Sequence, residues 1–188
     1  MTDVTPTTPA AGLDDPNPVR VAILADTHGW VDPRVLAVVA DCDLVVHGGD
    51  IGHAAVLARL RPRRGLIYAV RGTNDHPSQW PPGDQALLAT IPTHTQIDLP
   101  GGTLVVIHGH RTPARVRHAR LRHRFPEARV LVYGHSHRLA LDQDTLPWVI
   151  NPGAAGRTRT DGGPSCLVLT ATTGCWEVTA LRFPPLPR

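Results

Sequence analysis

The 188 residues suit one domain of ordinary size, and with 41% hydrophobic against 19% charged residues the chain can bury a core. No apolar run approaches the ~18 residues that a membrane span needs, which excludes a helical transmembrane protein. A formal charge of +3 is mildly basic and fits an anionic substrate or a weak nucleic-acid preference without selecting either.

Residues 1–18 are rich in Thr, Pro and Asp and nearly free of apolar side chains, so they are expected to form a disordered tail. Residues 19–25 are an apolar, β-branched-rich run that predicts a buried parallel strand, and it leads into Asp26-Thr27-His28-Gly29. Ligands bind at the carboxyl edge of such strands, and an Asp and a His two residues apart can both face one metal ion there. Residues 33–40, apolar all round, predict a helix lying on the sheet. A second strand at 43–47 ends in Gly48-Gly49-Asp50. A second helix at 53–60 is stopped by Pro62, and a third strand at 65–70 ends in Arg71-Gly72-Thr73-Asn74-Asp75-His76. Three βα units in a row thus end in polar, metal-competent residues.

Residues 77–92 are Pro-rich, with a short helix expected at 84–89. Residues 94–99 and 103–107 flank Pro100-Gly101-Gly102 and predict a hairpin, whose second strand runs into His108-Gly109-His110. Residues 113–124 have helical spacing and a basic face. That face suits a solvated helix surface and a phosphate-attracting one equally, and on the solvated reading it carries His118 and His123. A strand at 129–133 ends in Gly134-His135-Ser136-His137. Short strands follow near 139–142 and 148–150, then Asn151-Pro152-Gly153-Ala154, then a pair at 165–171 and 175–182. No repeat or linker divides the chain, which reads as one α/β domain over 19–183 with a more β-rich second half and a tail at 184–188.

Asp26-x-His28 and Gly49-Asp50 taken singly are ordinary turn and cap chemistry. His108-Gly109-His110 and Gly134-His135-Ser136-His137 say more. Each sets two imidazoles at alternate positions directly after an apolar strand, a geometry that metal sites use. With His28, five of the eleven histidines stand at strand tips. His47, just before the Gly-Gly-Asp turn, is a candidate to support Asp50 from behind. Trp30 and Trp80 suit a pocket mouth or plain packing. Cys42, Cys166 and Cys175 show no CxxC spacing, and with no signal peptide they predict a reducing cytoplasm.

In order, D-x-H, G-D, G-x-N-D, H-G-H and G-H-S-H, each after its own strand, resemble the calcineurin-like metallophosphoesterase superfamily. The short length, Val70-Arg71-Gly72, His108-Gly109-His110 and Asn151-Pro152-Gly153-Ala154 make the chain most similar to the small YfcE-type phosphodiesterases. The resemblance spans residues 19–182. It implies a four-layer αββα sandwich of two facing mixed β-sheets flanked by helices. It also implies a dinuclear metal-dependent phosphohydrolase, first of all a phosphodiesterase, with a metal-bridging hydroxide as nucleophile. One ion would be held by Asp26, His28 and His137, the other by His108, His135 and the Asn of the third motif, with Asp50 bridging. Such mixed donors favour manganese, taken first here, or iron, zinc, cobalt or nickel over magnesium or calcium.

The third motif departs from the family's Gly-Asn-x-Asp, because it reads Gly72-Thr73-Asn74-Asp75. An amide oxygen is a better donor than a Thr hydroxyl, and Gly72 can absorb a one-residue shift, so Asn74 is the expected ligand. Thr73, Arg71 and His76 are then expected to bind substrate. No His follows Asn74 directly, which leaves the proton donor open between His76 and His110. His110 and Asp75 are taken as catalytic. The alternative function is a non-catalytic protein-binding module on the same fold, as in a retromer subunit whose metal site has decayed. Decay strips histidines, whereas all four expected ligand histidines stand here. A nucleic-acid-binding module would rest on the basic run alone, which lacks the interleaved aromatics of single-strand binders. The implied partners are a phosphate-ester substrate, with nucleotides and nucleic acids among the candidates, and further copies of the chain in a homo-oligomer, with no membrane.

Overall fold

The structure, a computed structural model, describes residues 17–185. The expected tail at 1–18 lies outside the described residues except for Asn17 and Pro18, as does the one at 184–188 except for Pro184 and Pro185. The first half runs β1 (Val19–Leu24), α1 (Pro33–Ala40), β2 (Leu44–His47), α2 (Ala54–Arg59), β3 (Leu66–Ala69) and, after a 3-10 turn, α3 (Gln85–Thr90). The second runs β4 (His94–Leu99), β5 (Gly102–Ile107), α4 (Arg117–Arg124), β6 (Val130–Tyr133), β7 (Leu139–Asp142), β8 (Trp148–Pro152), β9 (Ser165–Ala171) and β10 (Trp176–Arg182).

Among the described residues ten strands form two five-stranded mixed sheets, in the orders β10-β9-β1-β2-β3 and β4-β5-β6-β8-β7. β1, β2 and β3 are parallel in the first sheet, and β5, β6 and β8 in the second. β1 is apolar at every position but the exposed Arg20, because both of its faces are covered along the rest of its length. Val19, Val21 and Ile23 enter the layer between the sheets, where they meet Leu104, Val106, Val130 and Val132. Ala22 and Leu24 face Val35 and Val39 of α1 on the outside. α4 covers the far side of the second sheet, with Leu121 set among Val105, Leu131 and Val149. This is the expected αββα sandwich. Among the described residues no helix is long and apolar enough to cross a membrane.

The helix expected over 113–124 is divided. Ala114–Val116 is a 3-10 turn, and Val116 leaves helical angles (φ −124°, ψ 4°) before α4 begins. The basic helix is also not a solvated stripe, which corrects that reading for His118. Arg117 is buried over the Tyr133 ring and donates to the Gly109 carbonyl at 3.1 Å and the Thr112 carbonyl at 3.0 Å. His118 Nδ1 donates to Asp142 Oδ2 at 2.6 Å, and its Nε2 accepts from the Tyr133 hydroxyl at 3.1 Å. Arg122 donates to the other Asp142 oxygen at 2.6 Å. His123 is exposed, as expected.

Candidate metal centre

The centre lies where the carboxyl ends of β1, β2, β5 and β6 meet across the sandwich. The loop after β1 is laced to the loop after β2 by Asp26 N to Gly49 O (2.9 Å), His28 N to Asp50 O (2.9 Å) and Gly29 N to Ile51 O (2.7 Å). Here the two sheets are joined as His108 Nδ1 donates to the Gly48 carbonyl at 2.8 Å and His135 N donates to Asp26 Oδ1 at 3.1 Å. Six non-glycine residues among those described have positive φ, and five of them are Asp26, His28, Asp50, His135 and His137, at 47° to 67°. Such backbone costs roughly 1 kcal/mol or more per residue and persists where the surroundings hold it, commonly at functional sites. Glycine leaves the room that these turns need. A Cβ on Gly49, at φ +95°, would stand 2.7 Å from His108 Nδ1, and one on Gly72 would collide with Asp50.

Asp26, His28, Asp50 and His137 each turn one ligand atom inward, and the four atoms lie within 4.8 Å of one another. A carbonyl only accepts, so the bonds to Gly48 O and Arg159 O place the ring protons of His108 and His137 on Nδ1 and leave Nε2 as a lone pair. Nε2 of His137 faces Asp26 Oδ1 at 3.5 Å and His28 Nε2 at 3.2 Å. Nε2 of His108 faces Asp50 Oδ1 at 3.4 Å. Asp26 Oδ2 and His108 Nε2 are buried with no hydrogen-bond partner. Buried acceptors facing acceptors are costly unless a cation lies between them, and carboxylate with imidazole suits a divalent transition metal. The residues therefore fit a metal.

The electrostatics agree with the geometry. Burial, and next the Asp50 carboxylate, push the Asp26 carboxyl well above its usual range. Burial lowers His108 to about 4 and also lowers His28, His135 and His137, which favours the neutral imidazole that ligates. For Asp50 burial works the other way, but His108, the Asn74 N–H and His28 prevail and hold its carboxyl below the usual value.

On the far side of Asp50 a second cluster gathers. The His108 ring lies 5.3 Å from that of His135 and 5.4 Å from that of His110. His110 Nδ1 is buried and unpaired. From the third motif it is Asn74 and not Thr73 that bonds to Asp50, among the described residues. The Asn74 backbone N–H donates to Oδ1 at 2.8 Å and its Nδ2 to Oδ2 at 2.9 Å.

The other expected site residues are placed differently. Asp75 Oδ1 accepts from Ile51 N (2.9 Å), Gly52 N (3.0 Å) and Trp80 Nε1 (3.0 Å), and Oδ2 accepts from Gly72 N (2.8 Å). It ties the loops after β2 and β3 together behind Asp50, which gives it the place of an anchor. Trp80 is accordingly buried packing and not a pocket mouth. His76 is exposed and accepts from the Ser78 hydroxyl at 3.1 Å. Arg71 is held by its backbone N–H to Pro92 O at 2.8 Å, and its Nε is buried and unpaired.

Three contributions go beyond the sequence reading, which named His47 only as a candidate support for Asp50 and gave Thr27, Asn151 and Arg159 no role. Thr27 Oγ1 donates to Ile51 O at 2.9 Å and accepts from His47 Nε2 at 2.9 Å, while His47 Nδ1 accepts from Gly49 N at 3.2 Å. Thr27 and the buried His47 thus staple the two carboxylate loops together. Asn151 Nδ2 donates to Gly134 O at 2.8 Å and to Ser136 Oγ at 3.1 Å, which holds the His135–His137 turn. Arg159, the sixth residue with positive φ, supplies the carbonyl that accepts from His137 Nδ1 at 2.9 Å. A loop arginine carries no sequence signal for that role.

Residues 19–174 match the family model for the calcineurin-like phosphoesterase superfamily domain. Among solved structures, vacuolar protein sorting 29 from Cryptosporidium parvum is 16% identical at a TM-score of 0.67, with 89% of this chain and 99% of that one covered. A novel archaeal phosphodiesterase is 21% identical at 0.64, covering 87% and 100%. A conserved Streptococcus pneumoniae protein described as a predicted phosphoesterase is 22% identical at 0.63, covering 88% and 90%. At these identities the likeness is one of fold. No curated protein matches the sequence.

Proposed function

Since the chain belongs to the calcineurin-like phosphoesterase superfamily, we propose that it is a phosphodiesterase that works with a pair of divalent transition-metal ions, manganese first among them. The observation that carries this reading is the position of Asp50. Its Oδ2 lies 3.8 Å from His28 Nε2 and its Oδ1 3.4 Å from His108 Nε2, so one carboxylate stands between two donor sets. Asp26, His28 and His137 would hold one ion, and His108, His135 and the Asn74 amide oxygen the other, with Asp50 shared. Such ions, when bound, lower the pKa of a water and neutralise charge on the phosphoryl oxygens.

The chain's own groups supply the rest. The Gly48 and Arg159 carbonyls keep His108 and His137 in the ligating tautomer. Asp75, Asn151 and the Thr27–His47 pair hold the loops in register. In hydrolysis a water oxygen bonds to phosphorus, the ester P–O bond breaks, and the departing oxygen takes a proton. We assign that delivery to His110, which stands beside His108 outside the ligand set, and not to His76, which is engaged by Ser78.

Protein stripped with chelator and reloaded with manganese is expected to hydrolyse bis-p-nitrophenyl phosphate and to carry two ions by elemental analysis. Absence of both overturns the reading. Bound metal without turnover would favour the second reading, a protein-binding module, which the likeness to vacuolar protein sorting 29 supports. For the third motif, Asn74→Ala is expected to lose one ion and roughly 10- to 100-fold in activity, whereas Thr73→Ala keeps both ions. The opposite metal counts would make Thr73 the ligand.

A further inference from the structure

Beside the metal centre lies a cleft of about 370 Å³ lined by His135, Ser136, His137, Arg138, Arg159 and Asp161, along with Thr160. Three of its residues, Arg138, Arg159 and Asp161, are exposed. Among the described residues neither guanidinium has a hydrogen-bond or ion-pair partner, although Asp161 shares the cleft. Some arginines elsewhere are engaged, Arg34 with Asp32, Arg122 with Asp142 and Arg129 with the Gly101 carbonyl, and what sets Arg138 and Arg159 apart from the other uncommitted ones is that they line a cleft with His135 and His137. Arg159 is also held at its root. Its strained backbone, at φ 58°, is tied to the metal-site His137 through its carbonyl, so the side chain springs from a fixed point next to the reacting centre.

We propose that Arg159, with Arg138 beside it, forms an anion subsite that takes a second phosphoryl group of the substrate, next to the one that is hydrolysed. This rests on the phosphodiesterase reading and narrows it. A scissile phosphodiester brings one negative charge, and the metal centre already answers it. Two uncommitted guanidiniums just outside that centre add binding only for a substrate with further negative charge, and a planar guanidinium matches phosphate in two-point fashion. The cleft offers no Phe, Tyr or Trp face for stacking a base, so the recognised feature is the phosphate. That chemistry has two sources: the pyrophosphate link of a nucleoside diphosphate derivative, and the neighbouring phosphate of a nucleic-acid end.

The test uses manganese-loaded full chain in wild-type, Arg159→Gln, Arg159→Lys and Arg138→Gln forms. The substrates are ADP-ribose, a 5′-phosphorylated dinucleotide and bis-p-nitrophenyl phosphate. Arg159→Gln is expected to lose at least tenfold more kcat/KM on one of the two-phosphoryl substrates than on bis-p-nitrophenyl phosphate, and Lys is expected to restore part of it. Arg138→Gln should shift selectivity in the same direction. The substrate that shows the effect identifies the source. By calorimetry, wild type should bind adenosine 3′,5′-bisphosphate more tightly than AMP, and Arg159→Gln should lose that preference. Equal losses on all substrates, with the binding preference kept or never present, overturn the subsite and reduce Arg159 to its carbonyl. If wild type turns over nothing, the phosphodiesterase reading fails while the calorimetry still decides the subsite.

Discussion

Asp50→Asn is expected to cut phosphodiester turnover at least a hundredfold, about 2.7 kcal/mol of transition-state stabilisation, and to leave the protein folded. Asp50 is buried at 3% exposure and faces His28 on one side and His108 on the other, while Asn74 donates to both of its oxygens. An amide of the same shape removes the negative charge shared between the two donor sets. Its NH₂ group must also meet either an Asn74 donor or an imidazole lone pair reserved for a cation. The fold should survive, because the backbone bond from His28 N to Asp50 O does not use the side chain. The metal-free protein should even be relieved, since the Asp50 charge is part of what makes Asp26 hard to ionise. The measurement pairs steady-state rates with melting curves taken with and without manganese. The expected result is a lost rate and a lost metal-induced rise in Tm, with the metal-free Tm unchanged or higher. More than about a tenth of wild-type activity, under one decade in rate, would make Asp50 a turn residue and nothing more.

Asp75→Ala is expected to act on stability first. It strands the N–H groups of Ile51, Gly52 and Gly72 and the Trp80 indole N–H, all now bonded to one carboxylate. At about 1–3 kcal/mol for each buried donor left unmet, partly relieved by water, the loss is on the order of 3–5 kcal/mol. For a chain of this length that lowers Tm by roughly 10 °C. Asp75→Asn keeps one acceptor oxygen and should fall between the two. Thermal unfolding of the metal-free proteins decides the matter. If both variants melt like wild type and both lose turnover, Asp75 touches the reacting atoms as the motif suggested. If Tm falls in the order Asp, Asn, Ala, it is an anchor, acting through its hydrogen bonds to those four N–H groups.

The strands and the loop motifs were legible in the chain because each rests on a local pattern. β2 and β6, and β1 but for its exposed Arg20, read as apolar runs, since both of their faces are covered, and each ends where Asp, Gly or His interrupts the run. His47 was legible only as a candidate support and Asn74 only as one of two donors, because sequence alone does not say which way a loop side chain turns. The helix at 113–124 was overdrawn. Its spacing is helical, but a buried Arg117 that clamps the Gly109 and Thr112 carbonyls has no signature distinct from an exposed arginine.

What the chain determined by itself is therefore the kinds of donor and their places at strand ends, since strand ends and turn residues follow from neighbours a few positions away. Only the tertiary structure decided which of them meet. Thr27 bonds to His47 across 20 positions, His137 to the Arg159 carbonyl across 22, and His135 to Asp26 across 109. The last of these needs the two sheets closed face to face, while the first needs β1 and β2 side by side and the second brings the loop after β8 to the turn after β6. A hydrogen bond or a shared charge acts over a few ångströms of space, whatever the distance along the chain, so the ring tautomers, the place of Asp75 and the cleft of Arg138 and Arg159 exist only once segments remote in sequence have come together.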